Sequence, residues 1–271
     1  MIHLTTKFTL IVEKSQSLEI TLNRPEVKNA FHPEMILELI SIFKEIDLQK
    51  NQIAKHKKYI LLKSSGDAFC AGADLNWMYS MKNYSLEDNY KDASQLEQLF
   101  ASIRTCVFPV IALVQGGCFG GGVGLVAACD IVIANNKNAS FCLSEVKLGL
   151  APSVISPYVV AKIGVSQFKY YALTGHIINA TEANTIGLVH QLVSNEDWGN
   201  SEFELEKHFS KLPTTALQHI KSLSHKLESS LFNSEITHFT TELISRIRLS
   251  QEAQEGMGSL LEKRKPNWIL S

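Results

Sequence analysis

A chain of 271 residues, 45% hydrophobic and 20% charged, can form one α/β core without a second domain. Its formal charge of −1 gives no electrostatic case for nucleic acid or an anionic membrane, whose ligands usually carry a basic surplus. The five cysteines form no CxxC pair and have no closely spaced histidine pair beside them, which argues against a zinc site or a disulfide framework and fits a reducing compartment.

The first residues, from Met1, have no long apolar core or small-residue cleavage site, and no apolar run approaches the ~20 residues that span a bilayer. A cytoplasmic protein is expected. Phe8 to Val12 and Leu18 to Leu22 alternate as strands of a hairpin, with Lys14 to Ser17 as the turn, and Arg24-Pro25 ends the second strand. From Pro33, the positions Met35, Ile36, Leu39, Ile42, Phe43 and Ile46 follow helical spacing. Tyr59 to Leu62 reads as a buried strand, broken by Ser64-Ser65-Gly66-Asp67. Met81 to Ser85 reads as a loop, Leu86 to Arg104 as a helix and Val110 to Val114 as a strand. The glycine run from Gly116 to Gly124 then opens a helix at Leu125 to Cys129, followed by a strand over Asp130 to Ala134. Beyond about residue 155 the pattern is helical, near 155–174, 181–187, 199–211, 214–229, 233–249 and 251–263. The expected organisation is an α/β core over 1–195 and a helical region over 196–271 that packs on the core and on neighbouring subunits. Apolar Phe232, Ile236, Phe239, Leu243 and Ile247 need such a surface.

Two glycine-bearing turns dominate the candidate chemistry: Ala68 to Leu75, and the run ending at Gly124. Each follows a strand and precedes a helix, which leaves free N–H groups where positive partial charge collects. Side by side, the two turns could hold one oxyanion between two N–H donors. Such turns also serve simply to pack helix on sheet, and that reading stays open. Gly122-Val-Gly-Leu-Val-Ala127 matches a dinucleotide fingerprint weakly, but no acidic residue ends the next strand, so a nicotinamide cofactor is rejected. No P-loop lysine follows either turn. Glu145 lies amid apolar residues after a strand-like stretch, where burial would raise its pKa and suit it to proton transfer. From spacing alone, a helix-capping Glu or a partner of Lys147 is the stronger reading. His32, His176 and His190 read as surface or cap residues, and Trp77 and Met78 as helix packing. Ser144 lacks the G-x-S-x-G context of a nucleophile.

Several motifs occur together and in order. They are Asn23 to Phe31, Gly66-Asp-Ala-Phe-Cys-Ala-Gly-Ala-Asp-Leu75, Gly120-Gly-Gly-Val-Gly-Leu125, Cys129 to Ala134, Ser144-Glu-Val-Lys-Leu-Gly-Leu150 and Glu255 to Pro266. Over nearly its whole length the chain resembles the enoyl-CoA hydratase/isomerase (crotonase) superfamily. The resemblance implies a spiral of ββα units with C-terminal helices, assembled as trimers or dimers of trimers. It implies that Ala71 and Gly121 supply two backbone N–H groups to the thioester oxygen of an acyl-CoA. Ala73, Asp74 and Leu75, with Gly122 and Gly124, would line the substrate and CoA pocket. Lys28 and the Lys263-Arg264-Lys265 segment would meet CoA phosphates. No metal or redox cofactor is implied, coenzyme A being part of the substrate.

Hydratases of the superfamily carry two acids. Here the second matches Glu145 and the first falls at Gly124, which has no side chain. One Glu suffices for isomerases, so an enoyl-CoA isomerase is one reading, and a catalytically weak acyl-CoA-binding member another. Ala73 to Met78, Phe141 to Val146 and Gly149 to Val160 are similar to bacterial methylglutaconyl-CoA hydratase-type members. That similarity implies hydration of a branched, carboxylated 2-enoyl-CoA, as in leucine catabolism.

Overall fold

β1 (Thr9–Glu13) and β2 (Ser17–Leu22) close the expected hairpin, with Thr9 opposite Leu22 and Glu13 opposite Leu18, and with Lys14 N donating to Ser17 O in the turn. The computed structural model describes residues 5–228 and 234–269; Met1 to Leu4 and Phe232, read above from sequence, lie outside the described residues. Next come α1 (Pro33–Leu48), α2 (Lys50–Ile53), β3 (Tyr59–Ser64), β4 (Ala68–Cys70), α3 (Leu75–Ser80) and α4 (Leu86–Thr105). They are followed by β5 (Val110–Val114), β6 (Gly117–Phe119), α5 (Gly121–Ala128), β7 (Ile131–Asn135), β8 (Ser140–Cys142), α6 (Ser156–Thr174), β9 (Ile178–Asn179), α7 (Ala180–Thr185) and β10 (Gln191–Val193). The chain continues through α8 (Ser201–Phe209), α9 (Thr214–Leu227), α10 (Ser234–Arg248) and α11 (Gln251–Leu261).

The strands sort into two sheets, and this sorting builds the spiral. One sheet has the order β1-β2-β3-β5-β7-β10, the other β4-β6-β8-β9. Each turn of chain lays one strand in the first sheet and the next in the second: β3 then β4, β5 then β6, β7 then β8. Pairing between successive turns is parallel, as Ile60 with Val110 and Ile111 with Ile131 show in one sheet and Cys70 with Cys118 in the other. The central strands are apolar at nearly every position because both faces are covered. Ile60, Leu62, Val110, Ala112 and Val132 face the cluster that holds Met35, Leu39 and Phe43 of α1. Tyr59, Leu61, Ile111, Leu113 and Ile133 face the opposite way, toward Phe209 of α8.

A buried ion pair ties α9 to this core. Lys221 of α9 is buried and its Nζ donates to Asp130 Oδ2 at 2.7 Å and to Phe108 O at 3.0 Å. Asp130 Oδ2 also accepts from Val110 N at 2.7 Å, so one carboxylate fixes the entry of β5 and the docking of α9.

Several boundaries differ from the expectation. The second sheet escaped the pattern because three-residue strands give too little alternation to detect. The α5 helix starts at Gly121 rather than Leu125, because packing in the core overrides the weak helix propensity of glycine. Met81–Asn83 forms a 3₁₀ turn in the expected loop, and α6 is kinked at Gly164, where φ is 73°. The five cysteines are free and buried, and among the described residues no helix is long and apolar enough to cross a membrane.

Candidate active site

The first glycine turn begins where β4 ends. Gly72 has φ of 89°, a region closed to most side chains, and it reverses which amides face inward. Phe31 N donates to Gly72 O at 2.6 Å and Asp74 N to Phe31 O at 2.7 Å, so Phe31 bridges to Ala73. In that parallel bridge the N–H of Ala73 points away from Phe31, and it has no acceptor among the described residues. Ala71 differs: its N–H donates to Lys28 O at 2.9 Å. The expectation that Ala71 supplies an oxyanion donor is therefore corrected, because that donor is already engaged; the free amide lies two residues on.

The second turn lies directly against the first. A Cβ built on Gly72 would stand 2.9 Å from Phe119 O and 3.6 Å from Gly121 N. Gly120, with φ of 50°, donates its N–H to Cys142 O at 2.9 Å and acts as N-cap of α5. Gly121 is the first residue of α5, so its N–H has no partner within the helix, and no other acceptor occurs among the described residues. Ala73 and Gly121 thus leave two unclaimed amide donors on adjoining segments.

Glu145 opens a short 3₁₀ helix, Glu145–Leu148, after β8. A Cβ on Gly120 would lie 3.4 Å from Glu145 Oε1 and 3.5 Å from Ser144 Oγ, so both side chains face the second turn. Glu145 Oε2 is buried without a hydrogen-bond partner. Burial pushes the Glu145 carboxyl above its ordinary pKa, and a bond from its own backbone N–H opposes this only in part. The pairing with Lys147 expected from spacing does not occur among the described residues; Lys147 Nζ lies 3.9 Å from Cys142 Sγ instead.

Other expected site residues have structural duties. Asp74 Oδ1 caps α3 by accepting from Asn76 N at 2.9 Å, and Oδ2 meets Arg24 Nη2 at 3.0 Å. Burial alone would raise the Asp74 pKa; the bonds from Arg24 and Asn76 overcome it and hold the carboxyl low. Leu75 is 81% exposed at the start of α3, and Ala73 is half-buried. Gly122 does not face a ligand: a Cβ there would stand 2.6 Å from Cys70 O, so this glycine lets α5 pack on β4. Gly124 is likewise a packing residue, buried under Ile155 and Phe100, which corrects its placement in the substrate pocket.

Lys28 is exposed in a left-handed conformation beside the first turn, linked to it through its carbonyl. Lys263 is exposed after α11, and no contact joins it to the two turns among the described residues. Its neighbour Arg264 is held by Glu255 and Glu262. The histidines act as caps and supports: His32 Nδ1 accepts from Met35 N at the start of α1, and His190 Nδ1 from Val132 N at 3.0 Å. Burial, then the charge of Lys162, lowers the His190 pKa and keeps its ring a neutral acceptor. Ala73 was expected to line the pocket but not to supply the amide donor, Ser144 was set aside as a nucleophile, and Ile155 was not singled out. The one signal of the free amide was Gly72 between two alanines, since a left-handed residue changes which flanking amide is free.

A family model described as enoyl-CoA hydratase/isomerase matches residues 13–269. Among solved structures, an enoyl-CoA hydratase from Shewanella pealeana is 35% identical, with a TM-score of 0.87 and coverage of 97% of this chain and 96% of that one. AtuE from Pseudomonas aeruginosa is 27% identical, with a TM-score of 0.90 and coverage of 97% and 100%. Enoyl-CoA hydratase ACTT6 of Alternaria alternata is 34% identical over 191 residues, which is 69% of this chain and 59% of that protein's length.

Proposed function

The chain belongs to the enoyl-CoA hydratase/isomerase (crotonase) family, and we propose that it adds water to a 2-enoyl-CoA where Ala73, Gly121 and Glu145 meet. One observation carries this reading. A half-buried carboxylate with one buried, unpartnered oxygen faces the same glycine turn that offers an unclaimed amide donor. Outside catalysis such a carboxylate is a cost, since a buried acceptor without a partner loses about 1–3 kcal/mol.

The steps follow from the groups present. The N–H groups of Ala73 and Gly121 receive the thioester oxygen and draw electrons from the conjugated double bond. The β-carbon becomes electrophilic. Glu145 takes a proton from a water molecule as its oxygen bonds to the β-carbon, and the π electrons move onto the thioester oxygen as an enolate. The two N–H donors stabilise that charge more than they stabilise the neutral carbonyl. Glu145, now a carboxylic acid, returns its proton to the α-carbon, and the 3-hydroxyacyl-CoA leaves. A raised pKa suits both halves, because the group must accept and donate near neutral pH.

Similarity of Ala73 to Met78, Phe141 to Val146 and Gly149 to Val160 to methylglutaconyl-CoA hydratase-type members supports a branched, carboxylated substrate. Lys28 and Lys263 are the proposed contacts for CoA phosphates. Lys263 would serve from a neighbouring subunit of a trimer or dimer of trimers. The single carboxylate also favours a second reading, in which Glu145 moves a proton between the α- and γ-carbons as an isomerase. Incubation with crotonyl-CoA, methylglutaconyl-CoA and a 3-enoyl-CoA separates the readings. Hydration with the highest kcat/KM on methylglutaconyl-CoA supports the proposal; double-bond migration without hydration replaces it with the isomerase reading; binding without turnover leaves an acyl-CoA-binding protein.

A further inference from the structure

We propose that the Ser144 hydroxyl holds the attacking water against Glu145, taking the second hydrogen-bonding position that a second carboxylate would otherwise fill. This rests on the hydratase reading above and goes beyond it in assigning a second group to the water.

A water that gives one proton to Glu145 keeps a second O–H. In a half-buried site that O–H needs an acceptor; without one the water is poorly oriented and its attack on the β-carbon is slowed. Gly124 cannot supply that acceptor. It has no side chain, and the volume into which one would grow is filled, with Ile155 Cγ2 at 2.2 Å and Phe100 Cζ at 3.0 Å from a built Cβ. The histidines described above are committed to backbone amides or lie elsewhere.

Ser144 meets the requirement. It precedes Glu145 in the chain and is half-buried. Its side chain makes no capping bond to the 3₁₀ helix it precedes, and no other hydrogen bond among the described residues. Its Oγ and Glu145 Oε1 lie 3.5 and 3.4 Å from the same point, the Cβ position of Gly120. The two oxygens flank one face of the turn whose next residue, Gly121, offers an amide donor. Water placed there donates one hydrogen to Glu145 and the other to Ser144 Oγ, with a lone pair free for the β-carbon. Ser144 keeps its own proton throughout: the water proton passes to Glu145, the O–C bond forms at the β-carbon, and Glu145 later protonates the α-carbon.

The test separates water addition from proton abstraction. Hydration of a 2-enoyl-CoA needs both Glu145 and the held water. Exchange of the α-hydrogens of butyryl-CoA with D2O needs Glu145 and the amide donors but adds no water. Ser144→Ala should lower kcat for hydration about tenfold while leaving exchange within about twofold, the size expected for one hydrogen bond. Ser144→Thr, which keeps a hydroxyl, should restore hydration. Parallel loss of hydration and exchange in Ser144→Ala would mean that Ser144 only positions Glu145, and would overturn the proposal. Unchanged hydration in Ser144→Ala would also overturn it. A wild-type protein that exchanges α-hydrogens yet hydrates no 2-enoyl-CoA would instead defeat the hydratase reading, and this proposal with it.

Discussion

Ile155 occupies the space above Gly124: a Cβ on Gly124 would lie 2.2 Å from Ile155 Cγ2 and 2.8 Å from Ile155 Cβ. Ile155 is itself 3% exposed, so a side chain at Gly124 would have to displace a core residue. Restoring an acid by Gly124→Glu therefore requires a second change. The single variant should be insoluble or lose at least the ~1–3 kcal/mol typical of overpacking, and Ile155→Gly in the same chain should recover part of that loss. Thermal melts of Gly124→Glu and of the double variant check this. A Gly124→Glu protein as stable as wild type would contradict this expectation.

Glu145→Gln should separate stability from activity. The folded state raises the Glu145 pKa, so it penalises the charged form. That penalty is absent below the unfolded pKa and develops as pH rises through the folded one. Glutamine carries no charge to penalise. The variant should match wild type in acid and melt at a higher temperature than wild type near neutrality. Melting curves between acid and neutral pH measure the gap, which should widen as pH increases.

The same shift sets the acid limb of the rate profile. The base form of Glu145 is required to take the water proton, and desolvation places its pKa above that of an ordinary glutamate. kcat/KM for hydration should fall on acidification at a pH above the ordinary carboxylate range, with the midpoint reporting the free enzyme. A flat profile down to the pKa of an exposed glutamate would assign the proton transfer elsewhere.

Lys221→Met should loosen the C-terminal helices without touching the turns. It removes the bonds to Asp130 and Phe108 O and leaves a carboxylate at the entry of β5 without its cation. Breaking one side of a buried pair costs about 3–5 kcal/mol. Asp130 retains some solvent access, so the low end is expected. Chemical denaturation measures the loss, and limited proteolysis should cut first within α9 to α11.

The long elements were legible because their patterns repeat. The hairpin, α1, α4 and the central strands carry enough alternation or helical spacing to show which faces are buried. The second sheet was not, since β4, β6 and β8 hold three residues each and take their position from neighbours in space. The same limit governs the site. The glycine turns and Glu145 could be located, but which amide is free depends on the reversal at Gly72 and on the carbonyl of Lys28, some forty residues away. Gly122 and Gly124 were expected in the substrate pocket from the family resemblance, which carries no account of local packing. Cys70 and Ile155 fill the space a side chain would take there, and only three-dimensional packing reveals them. A lysine that anchors a helix through Asp130, ninety-one positions earlier, leaves no periodic trace either.

The central claim is that one carboxylate, Glu145, makes both proton transfers of a hydration, from the water and to the α-carbon. Its most direct test follows a 2-enoyl-CoA by NMR in D2O with wild type and with Glu145→Gln. Wild type should form the 3-hydroxyacyl-CoA carrying one solvent deuteron at the α-carbon, and Glu145→Gln should form it about 10²–10⁴-fold more slowly while binding the thioester nearly as well. Turnover by Glu145→Gln close to the wild-type rate would contradict the account.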